Sequence, residues 1–153
     1  MSQVQPVSAH PSAETLLDRA RWLSSARPDA PAVTLVSHDG DRPLTYADLL
    51  AESARYAYAL EQAGVQPGDL VVLVLQHGET VLFGFWGSML LGAVPSIFPF
   101  LTEKLDPERY FDSVQKLVEH SGVKGGITYA ELEPALREVL GACTTPPTIL
   151  TTE

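Results

Sequence analysis

Cysteine, asparagine and positive charge are all scarce in this chain. Cys143 is the single cysteine, and no asparagine occurs anywhere. One thiol excludes an internal disulfide framework and a cysteine metal cluster, and it fits a reducing, intracellular setting. Without asparagine there is no N-glycosylation acceptor. Ten Lys and Arg stand against nineteen Asp and Glu, a formal net charge of −9. The carboxylates are spread out, so they read as a solubilising surface. Nucleic-acid affinity rests on phosphate neutralisation, so no nucleic-acid partner is expected. Met1 to Pro11 lacks the basic and apolar regions of a signal peptide, and it is expected to be a mobile arm. A cytoplasmic location is expected.

Charge is also missing locally, with none between Glu79 and Glu103. By count this resembles a membrane span. Pro95 and Pro99 break it, and Gly92 sits where a helix should stop. Thr80 to Leu91 would then be about 18 Å long at 1.5 Å per residue, short of a ~30 Å hydrocarbon core. It predicts a buried helix and no membrane span. With Val81, Leu82, Phe83, Phe85, Trp86, Met89 and Leu90, this helix has no polar face and must be covered all round.

The 153 residues suit one domain. A first helix is expected from a Ser12 cap to about Ala26, with Glu14 near its positive end and Leu16, Leu17, Ala20 and Leu23 as its apolar stripe. Ala32 to Ser37 and Arg42 to Leu44 flank His38-Asp39-Gly40-Asp41 and predict a hairpin. Thr45 and Asp48 form a capping-box pair opening a helix to about Ala63, with Leu50, Ala54, Ala57 and Leu60 inward. Pro67-Gly68 marks a turn. Leu70 to Leu75 is wholly aliphatic, as in a parallel strand covered on both faces. Val94 to Phe98 is the next strand. Asp106-Pro107-Glu108 caps a helix that carries Tyr110, Phe111, Val114, Leu117 and Val118 on one side. A strand is expected over Ile127 to Tyr129, weakened at its start by Gly125-Gly126. A helix over Tyr129 to Leu140 and a last strand over Thr148 to Thr151 complete the reading. From Leu70 onward the alternation of strands and helices predicts an α/β fold, a layered and mostly parallel Rossmann-like sheet.

Chemistry-bearing motifs are thin. His77-Gly78-Glu79 matches half of a zinc deaminase signature whose other half needs two cysteines, so a polar turn is the better reading. Gly87-Ser88 lacks the spacing of a nucleophile elbow, and Ser88 reads as a small packing residue. Gly84 and Gly87 fall mid-helix, where they favour close packing over phosphate binding. Cys143 has no neighbour in sequence to activate it. No catalytic or metal-ligating residue is assigned.

Three junctions taken together carry more. Leu44-Thr45-Tyr46-Ala47-Asp48-Leu49, then Gly64-Val65-Gln66-Pro67-Gly68-Asp69, then Leu90-Leu91-Gly92-Ala93-Val94-Pro95 occur in an order and spacing that resembles the start of the adenylate-forming superfamily. Acyl-CoA synthetases, fatty acyl-AMP ligases, luciferases and peptide-synthetase adenylation domains belong to it. The resemblance covers roughly residues 12 to 152 and implies the N-terminal part of the large domain, over 12–153, with the buried helix between two sheets. For a complete enzyme it implies a carboxylic acid, ATP and Mg, with CoA or a carrier-protein phosphopantetheine as thiol. The superfamily's phosphate-loop residues, adenine-site aromatic, ribose-binding Asp and C-terminal Lys are expected beyond Glu153, so this segment alone is expected to be inactive. The loop Phe98-Pro99-Phe100 follows a strand's C-terminal end, where open α/β sheets bind ligands. The resemblance places it near the thiol channel. Phe98 is the match there, while Pro99 and Phe100 replace small residues of some relatives, and core packing of both rings is the alternative. A different class of function, a non-catalytic binding or interaction module, remains open; it would need its sheet edges covered by a partner, and self-association is expected. A flavodoxin-like ligand domain is disfavoured because no glycine loop follows Leu75.

Overall fold

The computed structural model describes residues 15–38 and 40–152. Eleven elements follow one another: α1 (Leu16–Ala26), β1 (Pro31–Leu35), β2 (Arg42–Thr45), α2 (Tyr46–Gln62), β3 (Leu70–Val74), α3 (Glu79–Leu91), β4 (Val94–Ile97), α4 (Pro107–Ser121), β5 (Gly125–Tyr129), α5 (Glu133–Gly141) and β6 (Thr148–Thr152). β1 and β2 form their own antiparallel pair, while β4-β3-β5-β6 form a parallel sheet in that order. The expected α/β layering is present.

Local chemistry sets most of the boundaries. Thr45 and Asp48 make the reciprocal capping box at α2, the Thr45 hydroxyl accepting from the Asp48 N–H at 3.1 Å. Asp106 caps α4 by accepting from the Arg109 N–H at 3.0 Å, with Pro107 in the first turn. Gly92 ends α3 at φ +87°, a left-handed conformation that costs glycine nothing. Pro67-Gly68 turns between the Gln66 carbonyl and the Asp69 N–H, 3.0 Å apart, and the Gly68 N–H donates to the Gly92 carbonyl at 2.8 Å. The turn entering β3 and the stop of α3 are thereby tied together.

Other expectations are corrected. Ser12 and Glu14 lie outside the described residues; the described α1 begins at Leu16 behind a Thr15–Asp18 capping box. Of its apolar stripe Ala20 alone is buried, and Leu16 is exposed. The buried side of α2 runs through Leu49, Ser53 and Leu60, while Ala54 is exposed, because α3 crosses α2 on that side. β5 begins at Gly125, two residues ahead of expectation. Both glycines belong to the strand because its neighbours crowd it: a Cβ on Gly126 would lie 2.7 Å from Ile149 Cδ1. Tyr129 closes β5 and does not open α5, which starts at Glu133 with Pro134 in its first turn.

Two cores share β3. Val71, Leu73 and Leu75 pack with Leu60, Val65, Ala93 and Ile127 on the α2/α3 side. Val72 and Val74 pack with Tyr110, Val114, Val118, Leu136 and Leu140 on the α4/α5 side. α3 packs against both the sheet and α2, and α2 also reaches the sheet through Leu60. Gly84 faces Ile127 and Leu73, Gly87 faces α2, and Phe83 joins Leu44 and Leu49 beside the hairpin. No residue of α3 is fully exposed, but Trp86 is only half-buried, so the covering is less complete than expected.

The α2–α3 crossing leaves no room for a methyl group. A Cβ on Gly87 would sit 2.6 Å from Tyr56 Cβ and 2.7 Å from the Ser53 carbonyl oxygen, which is backbone and cannot swing away. Gly87→Ala should therefore cost about 1–3 kcal/mol in urea denaturation, an overpacking penalty. Gly141→Ala, into open space within a helix, should gain about 0.4–1 kcal/mol.

Candidate functional site

The β4–α4 connection is held from two sides. The Phe98 N–H continues the β4–β3 pairing by donating to the Leu73 carbonyl at 2.9 Å. The Phe98 ring meets Tyr110 of α4 edge-on, with centroids 5.7 Å apart, and Tyr110 in turn meets Phe111 at 5.4 Å. The Tyr110 hydroxyl donates to the Pro99 carbonyl at 2.8 Å, pinning a backbone group that a helical or strand ladder would otherwise satisfy. On the other side the Phe100 ring stands edge-on to His77, 5.2 Å away, in the β3–α3 turn.

The three expected loop residues therefore separate. Phe98 and Pro99 line a groove of about 470 Å³ that continues along Leu105, Arg109 and Tyr110. Phe100 turns away from it toward His77. Phe98 also packs against the α4/α5 core, so for this ring the packing and groove positions coincide. Lys104 and Arg109 flank the groove, while the Asp106 carboxylate accepts the Arg109 N–H at the helix cap. The sequence reading passed over both cations and took Tyr110 for an ordinary apolar-face residue. A usable signal was present: two of the ten basic residues fall within six positions beside the loop.

Burial, then the neighbouring Tyr129, pushes the Tyr110 phenol above its ordinary value, so it stays a hydrogen-bond donor through the neutral range. Cys143 is buried in the α4/α5 core, and burial followed by the Glu119 carboxylate pushes its thiol up, the opposite of an activated nucleophile. Ser88 is buried and donates to the Gly84 carbonyl at 2.8 Å, one turn back, as a packing residue. His77-Gly78-Glu79 forms the turn into α3, with Glu79 ion-paired to Arg42 of β2. Among the described residues no three His, Cys, Asp or Glu side chains gather in a way that could hold a metal ion, and no helix is long and apolar enough to cross a membrane. The groove has apolar walls at Phe98, Pro99 and Leu105 and charged groups at Lys104, Asp106 and Arg109.

Comparison with known proteins gives the same picture of the chain as a whole. A family model described as AMP-binding enzyme matches residues 20–153. A fatty acid–[acyl-carrier-protein] ligase of Streptomyces coeruleorubidus is 37% identical over 78 residues, covering 49% of this chain and 14% of the ligase. Tyrocidine synthase 3 of Brevibacillus parabrevis is 27% identical over 128 residues, 84% of this chain and 2% of the synthase. The crystal structure of a fatty acyl-adenylate ligase from Legionella pneumophila, in complex with acyl adenylate and pyrophosphate, superposes with a TM-score of 0.73 at 20% identity. That superposition covers 92% of this chain and 23% of the ligase, and it shows the shared fold. The chain thus spans a small fraction of the length of the relatives it matches.

Removing the Tyr110 hydroxyl should release the loop without emptying the core. Tyr110→Phe should cost about 0.5–1.5 kcal/mol and speed amide exchange at Phe100 and Leu101. The wild-type protein should also weaken in alkali. Its unfolded phenol ionises near pH 10, about the ordinary value, while the folded one holds its proton longer. Stability present below pH ~10 is therefore lost as pH rises, and denaturant melts across that range should show a shallower decline for the variant.

Proposed function

The chain belongs to the AMP-binding enzyme family, and on that premise we propose that residues 12–153 are the N-terminal part of the large domain of an ATP-dependent carboxylate-activating ligase. The acyl-CoA synthetase and fatty acyl-AMP ligase branches fit best. The observation that carries this reading is the match over residues 20–153, supported by the α3-centred layering and the fold shared with the Legionella ligase. In the reaction proposed, a carboxylate oxygen attacks the α-phosphorus of ATP and pyrophosphate leaves, giving an acyl-AMP. A thiol, of CoA or of a carrier-protein phosphopantetheine, then attacks the acyl carbon and AMP leaves.

This segment's own part is positional. β3 and α3 form the packed layer behind the site, and the Phe98–Phe100 loop, held by Tyr110 and His77, borders the path of the thiol. Apolar walls at Phe98, Pro99 and Leu105 suit an extended aliphatic arm, and Lys104 and Arg109 suit a phosphate at its end. Magnesium would supply charge neutralisation at the triphosphate. The described residues hold no cluster fit to bind it, so no step is assigned to it in this segment. Stabilising a developing charge on phosphate takes a backbone cradle and cations, and carboxylates outnumber bases here nineteen to ten. Isolated, the chain should therefore be a scaffold without activity.

Carboxylate-dependent exchange of labelled pyrophosphate into ATP tests both parts. The full-length gene product should catalyse exchange with at least one acid from a panel of short, medium and long chains. The isolated 153-residue chain should show none above a no-enzyme control. A full-length product inactive with every acid would overturn the ligase reading. Exchange by the rigorously purified short chain would overturn its role as scaffold.

A further inference from the structure

The turn out of β4 has one open backbone rotation, and one side chain sets it. Phe98 is anchored, since its N–H donates to the Leu73 carbonyl at 2.9 Å. The pyrrolidine ring of Pro99 fixes the next two angles. It holds φ of residue 99 at about −65° and confines Phe98, as the residue before proline, to an extended backbone. The first rotation left open is ψ of Pro99, with an extended well at about +145° and a helical one at about −40°. The Tyr110 hydroxyl closes it. It donates to the Pro99 carbonyl oxygen at 2.8 Å, and ψ is the angle that decides where this oxygen points. The donor is held in turn: Tyr110 is buried, one turn into α4 behind the Asp106 cap, with its ring edge-on to both Phe98 and Phe111.

The path of the chain after Pro99 follows from that bond. In a planar peptide the carbonyl oxygen and the following nitrogen lie on opposite sides of the Cα–C bond. With the oxygen turned to Tyr110, the Phe100 nitrogen points the other way, and the Phe100 ring reaches His77 with centroids 5.2 Å apart. Moving ψ to the other well, about 180° away, exchanges the two directions. Phe100 would then leave on the Tyr110 side, where Phe98, Pro99 and Tyr110 line the groove. We propose that Tyr110 is a positioning residue: by fixing ψ of Pro99, its hydroxyl keeps the Phe100 ring on His77 and out of the groove. The groove's ligand, the thiol arm, rests on the ligase reading. The restraint itself does not, because every group in it lies within residues 73–111. A ring lodged in the groove competes with the arm, so apparent affinity falls with the fraction of open molecules while the rate at saturation is kept.

Tyr110→Phe keeps the ring and its two ring contacts and removes only the bond. One such bond shifts an equilibrium about two- to twelve-fold. In the full-length protein the KM for the thiol acceptor, tested with CoA and with a phosphopantetheinylated carrier protein, should rise about two- to twelve-fold, with kcat recovered at saturating thiol. Phe100→Ala leaves no ring to compete, so adding Tyr110→Phe to it should raise KM no further. In the 153-residue chain the nuclear Overhauser contact between the His77 and Phe100 rings should be present in the wild type and weakened in Tyr110→Phe. An unchanged thiol KM, a rise that persists in the Phe100→Ala background, a fall in kcat at constant KM, or an intact ring contact in Tyr110→Phe would each overturn the proposal. Pyrophosphate exchange by the wild type reads the ligase proposal separately. If the full-length protein shows none, that reading falls and the ring contact alone decides this one.

Discussion

Everything in this molecule is hung on β3. Val71 to Leu75 are five consecutive aliphatic residues with at most 3% of their surface exposed, pairing β4 on one side and β5 on the other. Because side chains alternate, one strand supplies both cores, odd positions to α2 and α3 and even positions to α4 and α5. At about 1.5–3 kcal/mol for each fully buried Val or Leu, this strand is a concentrated source of hydrophobic stabilisation. It also sets the ligand geography. The loops after β3 and β4 emerge at the same end of the sheet, which is why His77 and Phe100 meet although 23 positions separate them in sequence.

The candidate groove inherits its rigidity from that frame. Phe98 is the first residue past β4 and is still hydrogen-bonded to β3, while Tyr110, one turn into α4, reaches back to Pro99. A loop tied at its first two residues to a strand and a helix presents its walls in one arrangement. The Tyr110 phenol and the Cys143 thiol are both pushed above their ordinary values by burial, so neither is activated as a nucleophile.

The β4 edge of the sheet follows a similar division of labour. Pro95 in β4 and Pro99, two residues past its end, put proline at outward positions, where it costs the internal ladder nothing because inward N–H groups belong to residues 94 and 98.

Where an element begins and ends was written locally, and it could be read. The Thr45–Asp48 box, the Asp106-Pro107 start, the Pro67-Gly68 turn and the Gly92 stop each satisfy backbone groups within four residues, so a short window contains the whole cause. The aliphatic run of β3 and the family resemblance of its flanking junctions were legible for the same reason. What needed the tertiary structure was every decision made between distant segments. The buried face of α2 shifted to Leu49 and Ser53 because Gly87 of α3 crosses there, and a helix's own periodicity fixes a stripe only to within the choice of partner. Gly125-Gly126 looked like a weak strand start until Val65 and Ile149 were seen pressing on it. The split of Phe98 and Phe100 to opposite sides and the Tyr110 bond to Pro99 depend on residues 11 to 23 positions away. Such contacts are created by packing, which no local stretch of the sequence contains.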